Sequence, residues 1–207
     1  VIKGINLMVL ILIPITVLII LLNHEIIEVL YGYGKFDSEA IIITGNILLL
    51  SGLGIIFLGI KELLNRAYYA AQNTLIPMKY SVIGIAINVI MALILCRKIE
   101  VLGVALASTL STFISCIMLC HKFKKQFELR LLVKKNILKY FIIFLLLYVI
   151  GGVINNQIGI ENVMLASVFN GLVVCVLYII LLLIFKVDIR MYFNIKKQQQ
   201  AGKGALR

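Results

Sequence analysis

This sequence predicts an all-α, polytopic membrane bundle of six transmembrane helices. Three observations carry that expectation. Of the 207 residues, 62% are hydrophobic and the mean hydropathy is +1.10, whereas a soluble domain is about half apolar. The apolar residues gather into six runs, at 5–23, 41–60, 80–96, 101–120, 140–158 and 163–185, and none contains Asp, Glu, Lys or Arg. The charges between the runs are sorted by side. If the spans alternate, 17 of the 20 Lys and Arg residues fall on the side that holds both ends of the chain, and only Lys35, Arg97 and Lys98 fall on the other.

Each run is close to the roughly 20 residues that cross a ~30 Å hydrocarbon layer as a helix. Inside lipid the backbone must satisfy its own hydrogen bonds, so helices are the form these runs take. The run 80–96 is the shortest, and Arg97 and Lys98 can extend it by snorkelling to the interface. The charge bias places the basic loops and both ends of the chain in the cytoplasm. It also accounts for the net charge of +11 without nucleic acid: the basic residues face the anionic inner leaflet. Outside lie Glu25, Glu28, Asp37, Glu39, Glu100 and Glu161. The first run lacks a small-residue cleavage pattern, so no removable signal peptide is expected. The chain starts without methionine and enters a span almost at once, which reads as a piece of something longer.

The runs differ in texture. The first carries Pro14 in "LILIPITVLI", which removes a backbone bond and predicts either a hinge or a tolerated kink. The second has Gly45, Gly52 and Gly59 seven residues apart, on one stripe. The third has Gly84, Asn88 and Ala92, and the fourth Gly103, Ala107, Ser111 and Ser115, each four apart. Small residues at these spacings let helices approach closely in lipid. The fifth and sixth, with "YFIIFLLLYVI" and "VLYIILLLIF", are bulky nearly all round. The expectation is a packed inner group of the first four spans and a peripheral, lipid-facing pair. Two amphipathic pieces lie between spans. "HEIIEVLY" (24–31) sets Ile26, Ile27, Leu30 and Tyr31 against Glu25 and Glu28. "KFKKQFELRLLVKK" (122–135) places Phe123, Phe127 and Leu131 among lysines as a connector or partner-binding segment.

No catalytic constellation converges: the acids are scattered in loops and the two histidines lie at opposite membrane faces, so an enzyme is not expected. The four cysteines read as small hydrophobes. Cys116, Cys120 and His121 lie close on a helix, but a zinc site needs a fourth ligand, and no metal or cofactor is expected. Asn88 shares a small-residue seam, so it faces protein. It serves either an interhelical hydrogen bond or an ion site with Ser108 or Thr109 of the next span. Arg66 lies about one and a half turns beyond the second run, on a helix that continues to about Asn73. It is either an inner-leaflet anchor or a bidentate phosphate ligand. Asn73-Thr74 and Pro77 end that helix.

Three stretches carry a resemblance. "LLNRAYYAAQNTLIPMKYSVIGIAINV", "VLYGYGKFD" and "LGVALASTLSTF" are similar in content and mutual spacing to elements of MurJ/MviN-type lipid II flippases, within the multidrug/oligosaccharidyl-lipid/polysaccharide exporter superfamily. The matched positions are Gly34, Phe36, Arg66, Tyr69, Asn73, Thr74 and Pro77. The resemblance covers about residues 4 to 127. It implies a fourteen-helix transporter of two lobes plus an extra helix pair, of which this chain is the C-terminal fragment. Residues 1–127 would be the last four helices of the second lobe, 128–190 the two additional helices, and 191–207 a basic cytoplasmic tail. It implies flipping of the undecaprenyl-pyrophosphate-linked peptidoglycan precursor, lipid II, across the bacterial cytoplasmic membrane by alternating access. Arg66 would meet the pyrophosphate, the extra pair would border a groove for the lipid tail, and membrane lipids and the missing N-terminal helices would be the other partners. The sequence departs from the family at Asn73, where Asp is usual, and at Leu75-Ile76. It departs again at Ala92, which replaces the Asp of a cation site whose other positions fall on Asn88, Val104 and Ser108. Two alternatives remain open: export of another polyprenyl-linked glycan or of drugs coupled to a cation, and a non-transporting scaffold for cell-wall enzymes.

Overall fold

The computed structural model describes residues 2–34, 36–127, 134–157 and 163–184. Six helices follow in order: α1 (Ile2–Leu21), α2 (Asn23–Tyr31), α3 (Ser38–Ala70), α4 (Leu75–Phe127), α5 (Lys134–Gln157) and α6 (Val163–Ile184). α4 is not one rod. Ile99 and Glu100 leave helical geometry, and Glu100 takes a positive φ of 50°, a conformation that strains a non-glycine residue. The chain doubles back there. Gly103 sits so close to Leu95 and Cys96 that a Cβ on it would meet the Leu95 carbonyl carbon at 2.6 Å, and Gly84 abuts Ser115. Both pairs are symmetric about Ile99–Glu100, so the two arms of α4, residues 75–98 and 101–127, form an antiparallel hairpin. The six apolar runs therefore become α1, α3, the two arms of α4, α5 and α6. The connector residues 128–133, Glu161 and the tail 191–207 lie outside the described residues.

The small-residue stripes pack as their spacing predicts. Gly45 faces His24, Gly52 faces Ile19 and Gly59 faces Leu12, so one side of α3 rests against α1 and the start of α2. Its other side meets α4: Gly54 faces Thr109, and the Thr109 hydroxyl donates to the Leu50 carbonyl at 2.8 Å. Phe57 and Phe113 meet edge to face at 4.7 Å. Gly103, Ala107, Ser111 and Ser115 are all buried.

Two expectations change. The connector reading of Phe123 fails, because the second arm of α4 continues without a break through Phe127. Phe123 is buried in the core, its ring edge to face with Tyr68 at 5.2 Å. The predicted apolar face of residues 24–31 is also divided. Ile27 is buried, whereas Leu30 and Tyr31 are exposed.

α5 and α6 are peripheral, yet not uniformly lipid-facing. Tyr140, Ile143 and Leu147 of α5, with Val174, Tyr178, Leu181 and Leu182 of α6, join Ile5, Val9, Ile13 and Val17 of α1 in one core. α1 runs as a single helix through Pro14. Proline has no N–H, so the carbonyl four residues earlier, that of Leu10, loses its helical partner. The Tyr178 hydroxyl of α6 donates to that carbonyl. A neighbouring helix thus repairs the bond that Pro14 removes, which is how proline is tolerated at membrane depth. In the full-length protein, Tyr178→Phe should lower the thermal unfolding temperature in detergent, equivalent to about 1 kcal/mol. In a Pro14→Ala background, where residue 14 regains its N–H, the same change should be close to neutral. Equal losses in the two backgrounds would show that the hydroxyl does not act through the Leu10 carbonyl.

Candidate functional site

The linker between α3 and α4 is where the sequence concentrates its polar and aromatic signals. α3 ends in a Schellman arrangement. The Asn73 N–H reaches the Tyr68 carbonyl at 3.0 Å and the Gln72 N–H reaches Tyr69 at 2.9 Å, with Gln72 at a φ of 56°. Glycine is the usual residue at that left-handed position. Asn73 then opens the next helix, its Oδ1 accepting from the Ile76 N–H at 3.3 Å. One residue closes α3 with its backbone and starts α4 with its side chain. An aspartate would accept the same bond, so Asn73 in place of Asp keeps the corner intact. Pro77 is fully buried in the first turn of α4, where no intrahelical N–H is required. Thr74 is exposed, and its carbonyl accepts from the Met78 N–H at 3.2 Å.

On this framework Arg66 projects outward. Its side chain is 76% exposed and its Nε lies 3.3 Å from Oε1 of Glu62, one turn earlier. Such exposed i,i+4 pairs contribute at most about 0.5 kcal/mol. The Nε contact leaves the terminal amino groups of the guanidinium available. Tyr69 is exposed beside it, while Tyr68 is completely buried. Sequence matching favoured Tyr69; the structural weight falls on Tyr68. The available signal was helical spacing, since Leu64 and Tyr68 lie four apart on the buried stripe.

The remaining motif residues lie elsewhere. Gly34, with φ 73°, and Phe36, whose ring is 6.0 Å from that of Tyr31, precede α3. Asp37 caps that helix by accepting from Ala40 N–H at 2.9 Å. They sit at the far end of α3 from Arg66, roughly 40 Å away along the axis at 1.5 Å per residue, and the structure does not bring them to the arginine. Ala92 and Val104 share a shallow hollow of about 500 Å³ with Val89, Leu93, Cys96 and Arg97. That lining contains an arginine and no carboxylate, which disfavours a cation. Asn88 is half-buried and makes no hydrogen bond among the described residues, and Ser108 is exposed. No cluster of three metal-ligating side chains occurs among the described residues.

A second cleft, of about 410 Å³, runs between α1, α3 and α5. It is lined by Val9, Ile13 and Thr16, by Leu53, Ile56, Phe57 and Ile60, and by Tyr140, Phe141 and Phe144. The family resemblance implies a lipid-tail groove bordered by the last two helices. This cleft is walled by α1, α3 and α5, and no described residue of α6 lines it.

A bundle of apolar helices with an apolar side cleft and an exposed arginine at one end is the architecture of a multi-pass membrane protein. The family model described as "Lipid II flippase MurJ" matches residues 1–174, and the chain belongs to that family of bacterial membrane proteins. It is 35% identical over 112 residues to the lipid II flippase MurJ of Thermosipho africanus, covering 54% of this chain and 24% of that protein. It is 31% identical over 106 residues to a probable lipid II flippase MurJ of Rhizobium tropici, covering 51% and 20% respectively. A solved structure, a lipid II flippase MurJ in an inward closed conformation, superposes with a TM-score of 0.74 at 28% identity, over 87% of this chain and 37% of that one. The chain thus spans about a quarter of the length of these curated relatives.

The corner itself is testable. Asn73→Asp should leave thermal stability of the full-length protein unchanged within about 0.5 kcal/mol, whereas Asn73→Ala should lower it by about 1 kcal/mol. Hydrogen exchange should locate the loss in the first turn of α4. A loss spread evenly over the bundle would contradict the capping role.

Proposed function

We propose that this chain is the C-terminal part of a lipid II flippase. The whole protein carries the undecaprenyl-pyrophosphate-linked peptidoglycan precursor from the inner to the outer leaflet of the cytoplasmic membrane. The physical problem is the head group. Moving an ionised group into a medium of low dielectric constant costs on the order of 20 kcal/mol before relaxation, so the head group needs a polar route while the prenyl tail stays in lipid. A bundle that is apolar outside and cationic at its mouth divides the cargo in that way.

The observation that carries this reading is Arg66, held on the capped end of α3 with its guanidinium 76% exposed. Arginine offers a diphosphate a planar fork of donors and a charge that does not titrate. Glu62 is bound weakly enough to be displaced. The cleft between α1, α3 and α5, at about 410 Å³, is of ligand size and takes a segment of the prenyl tail. Both ends of the chain lie in the cytoplasm, so the Arg66 end faces the side from which the substrate comes. Residues 1–127 complete the second lobe, 128–190 form the added helix pair, and 191–207 are a cytoplasmic tail. Helices preceding this segment supply the first lobe and the rest of the cavity. Alternating access then consists of rocking one packed lobe against the other, with no covalent step.

The test is rescue of cells depleted of their own flippase. Full-length wild-type protein should restore growth and labelled lipid II should reach the outer leaflet. Arg66→Ala should reduce flipping at least tenfold at equal membrane abundance, and Arg66→Lys should retain part of it. Rescue by Arg66→Ala at wild-type rate would remove the arginine from the mechanism. Rescue by a protein with its cavity blocked would favour the scaffold. Transport of drugs but not of lipid II would favour the drug exporter.

A further inference from the structure

The second arm of α4 carries a pair of thiols that the transport reading does not use. Cys116 and Cys120 lie four residues apart on a helix that continues unbroken through Phe127, so they stand one above the other on the same face. Cys116 is 3% exposed. Cys120, the last residue of the apolar run 101–120, is half-buried. Both are free, and the two thiols share a hydrogen bond. Lys61 of α3 is near enough for its charge to act on Cys116. It is half-buried and makes no ion pair among the described residues, and its neighbour in sequence, Glu62, is engaged by Arg66. A partly desolvated ammonium without a counter-ion therefore stands beside two groups that become anions when they lose their protons.

Geometry separates the chemistries open to two thiols. A disulfide needs Cβ atoms about 3.5–4.5 Å apart, whereas residues four apart on a helix hold theirs at about 5–6 Å, so direct oxidation requires the helix to distort. Structural zinc needs four ligands. His121 is exposed, and no cluster of three metal-ligating side chains occurs among the described residues, so zinc lacks its set. A soft monovalent ion is satisfied by two thiolates in line. Two metal–sulfur bonds of roughly 2.3 Å each hold the sulfurs about 4.6 Å apart, a span that Cβ atoms at helical spacing admit. No cavity has to exist beforehand, because the ion takes the place of the proton between the sulfurs. Both thiol protons pass to water, two metal–sulfur bonds form, and the ion keeps its oxidation state. Charge then selects the ion. Two thiolates and a monovalent ion leave one negative charge, which the Lys61 ammonium neutralises; a divalent ion leaves the lysine uncompensated. We propose that Cys116 and Cys120, with Lys61 as counter-ion, form a two-coordinate site for a soft monovalent metal ion, of the class of Cu(I) and Ag(I), between α3 and the second arm of α4. The inference does not depend on the transport reading and survives its failure.

The experiment uses purified full-length protein, reduced and kept free of oxygen in a neutral detergent. The probes are Cu(I), supplied as its acetonitrile complex and titrated against bicinchoninate, and Ag(I) and Zn(II), compared by native mass spectrometry. The wild type should take up one more equivalent of Cu(I) or Ag(I) than Cys116→Ser or Cys120→Ser, and X-ray absorption should assign two sulfur ligands to that equivalent. Lys61→Gln should weaken Cu(I) binding about tenfold, as expected for loss of one charged partner, and Lys61→Arg should keep it within about threefold. Cys96→Ser, Cys175→Ser and His121→Ala should retain the equivalent. Cys120 is partly exposed, so Cys120→Ser decides the matter even where Cys116→Ser does not fold. A wild type that binds no more Cu(I) than Cys120→Ser would overturn the proposal. Loss of the equivalent in His121→Ala, or tighter binding of Zn(II), would overturn the two-coordinate geometry, and unchanged affinity in Lys61→Gln would overturn the role of the lysine.

Discussion

The constraint that organises this molecule is that a backbone carbonyl in lipid has no water to bind. α1 is where that constraint is nearly broken, and where the bundle is joined. Pro14 leaves the Leu10 carbonyl without its helical donor, and Tyr178 supplies one from α6. On its other side the same helix meets the glycines of α3 through Leu12 and Ile19. α1 is therefore held from two directions by different physics: a directed hydrogen bond to one neighbour and close van der Waals approach to another. In lipid the hydrophobic effect does not draw helices together, so these two kinds of contact carry the association.

The same economy shapes the α4 hairpin. Its arms touch through Gly84 and Ser115 at one end and Gly103 at the other, leaving room for little between them but backbone and hydroxyls. That closeness fixes where the end of α3 can go. Tyr68 is locked against Phe123 of the second arm, and Asn73 turns the chain directly into the first arm. The exposed Arg66 thus stands on a rigid corner. Under the proposed function that rigidity matters, because a pre-organised guanidinium loses less conformational freedom when it binds a charged head group.

The spans were legible because hydropathy is a sum over some twenty residues and tolerates local error. The glycine stripe was legible because residues seven apart fall on one helical face, and the structure sets all three glycines against α1 and α2. What failed was reading from residue character. Phe123 sits among lysines and so looked interfacial, yet its neighbours in sequence point away from it, and the helix turns it to Tyr68. α5 and α6 looked uniform because Leu, Ile and Phe do not reveal which face is buried; Tyr140, Asn170 and Tyr178, all buried and each with a polar group that needs a partner, carried the hint. Lys61 was counted with the loop charges because it follows the last apolar residue. Its inward turn brings the ammonium beside Gly84, 23 residues further on, a long-range neighbour that no local pattern encodes. The match of Gly34 and Phe36 to a family element was equally local, and said nothing of their separation from Arg66 along α3.

The two cations of α3 then occupy different electrostatic situations five residues apart. Arg66 is solvated and shares its charge with Glu62, so a phosphate arriving there replaces one weak partner by a stronger one. The net change is small, which under the proposed function suits a group that releases its ligand as readily as it takes it. Lys61 is instead half-buried, its ammonium beside the closed seam of Gly84 and Ser115, and it makes no ion pair among the described residues. Under the proposed function, a transient contact with a moving head group therefore belongs to the exposed arginine rather than to the lysine packed at the seam.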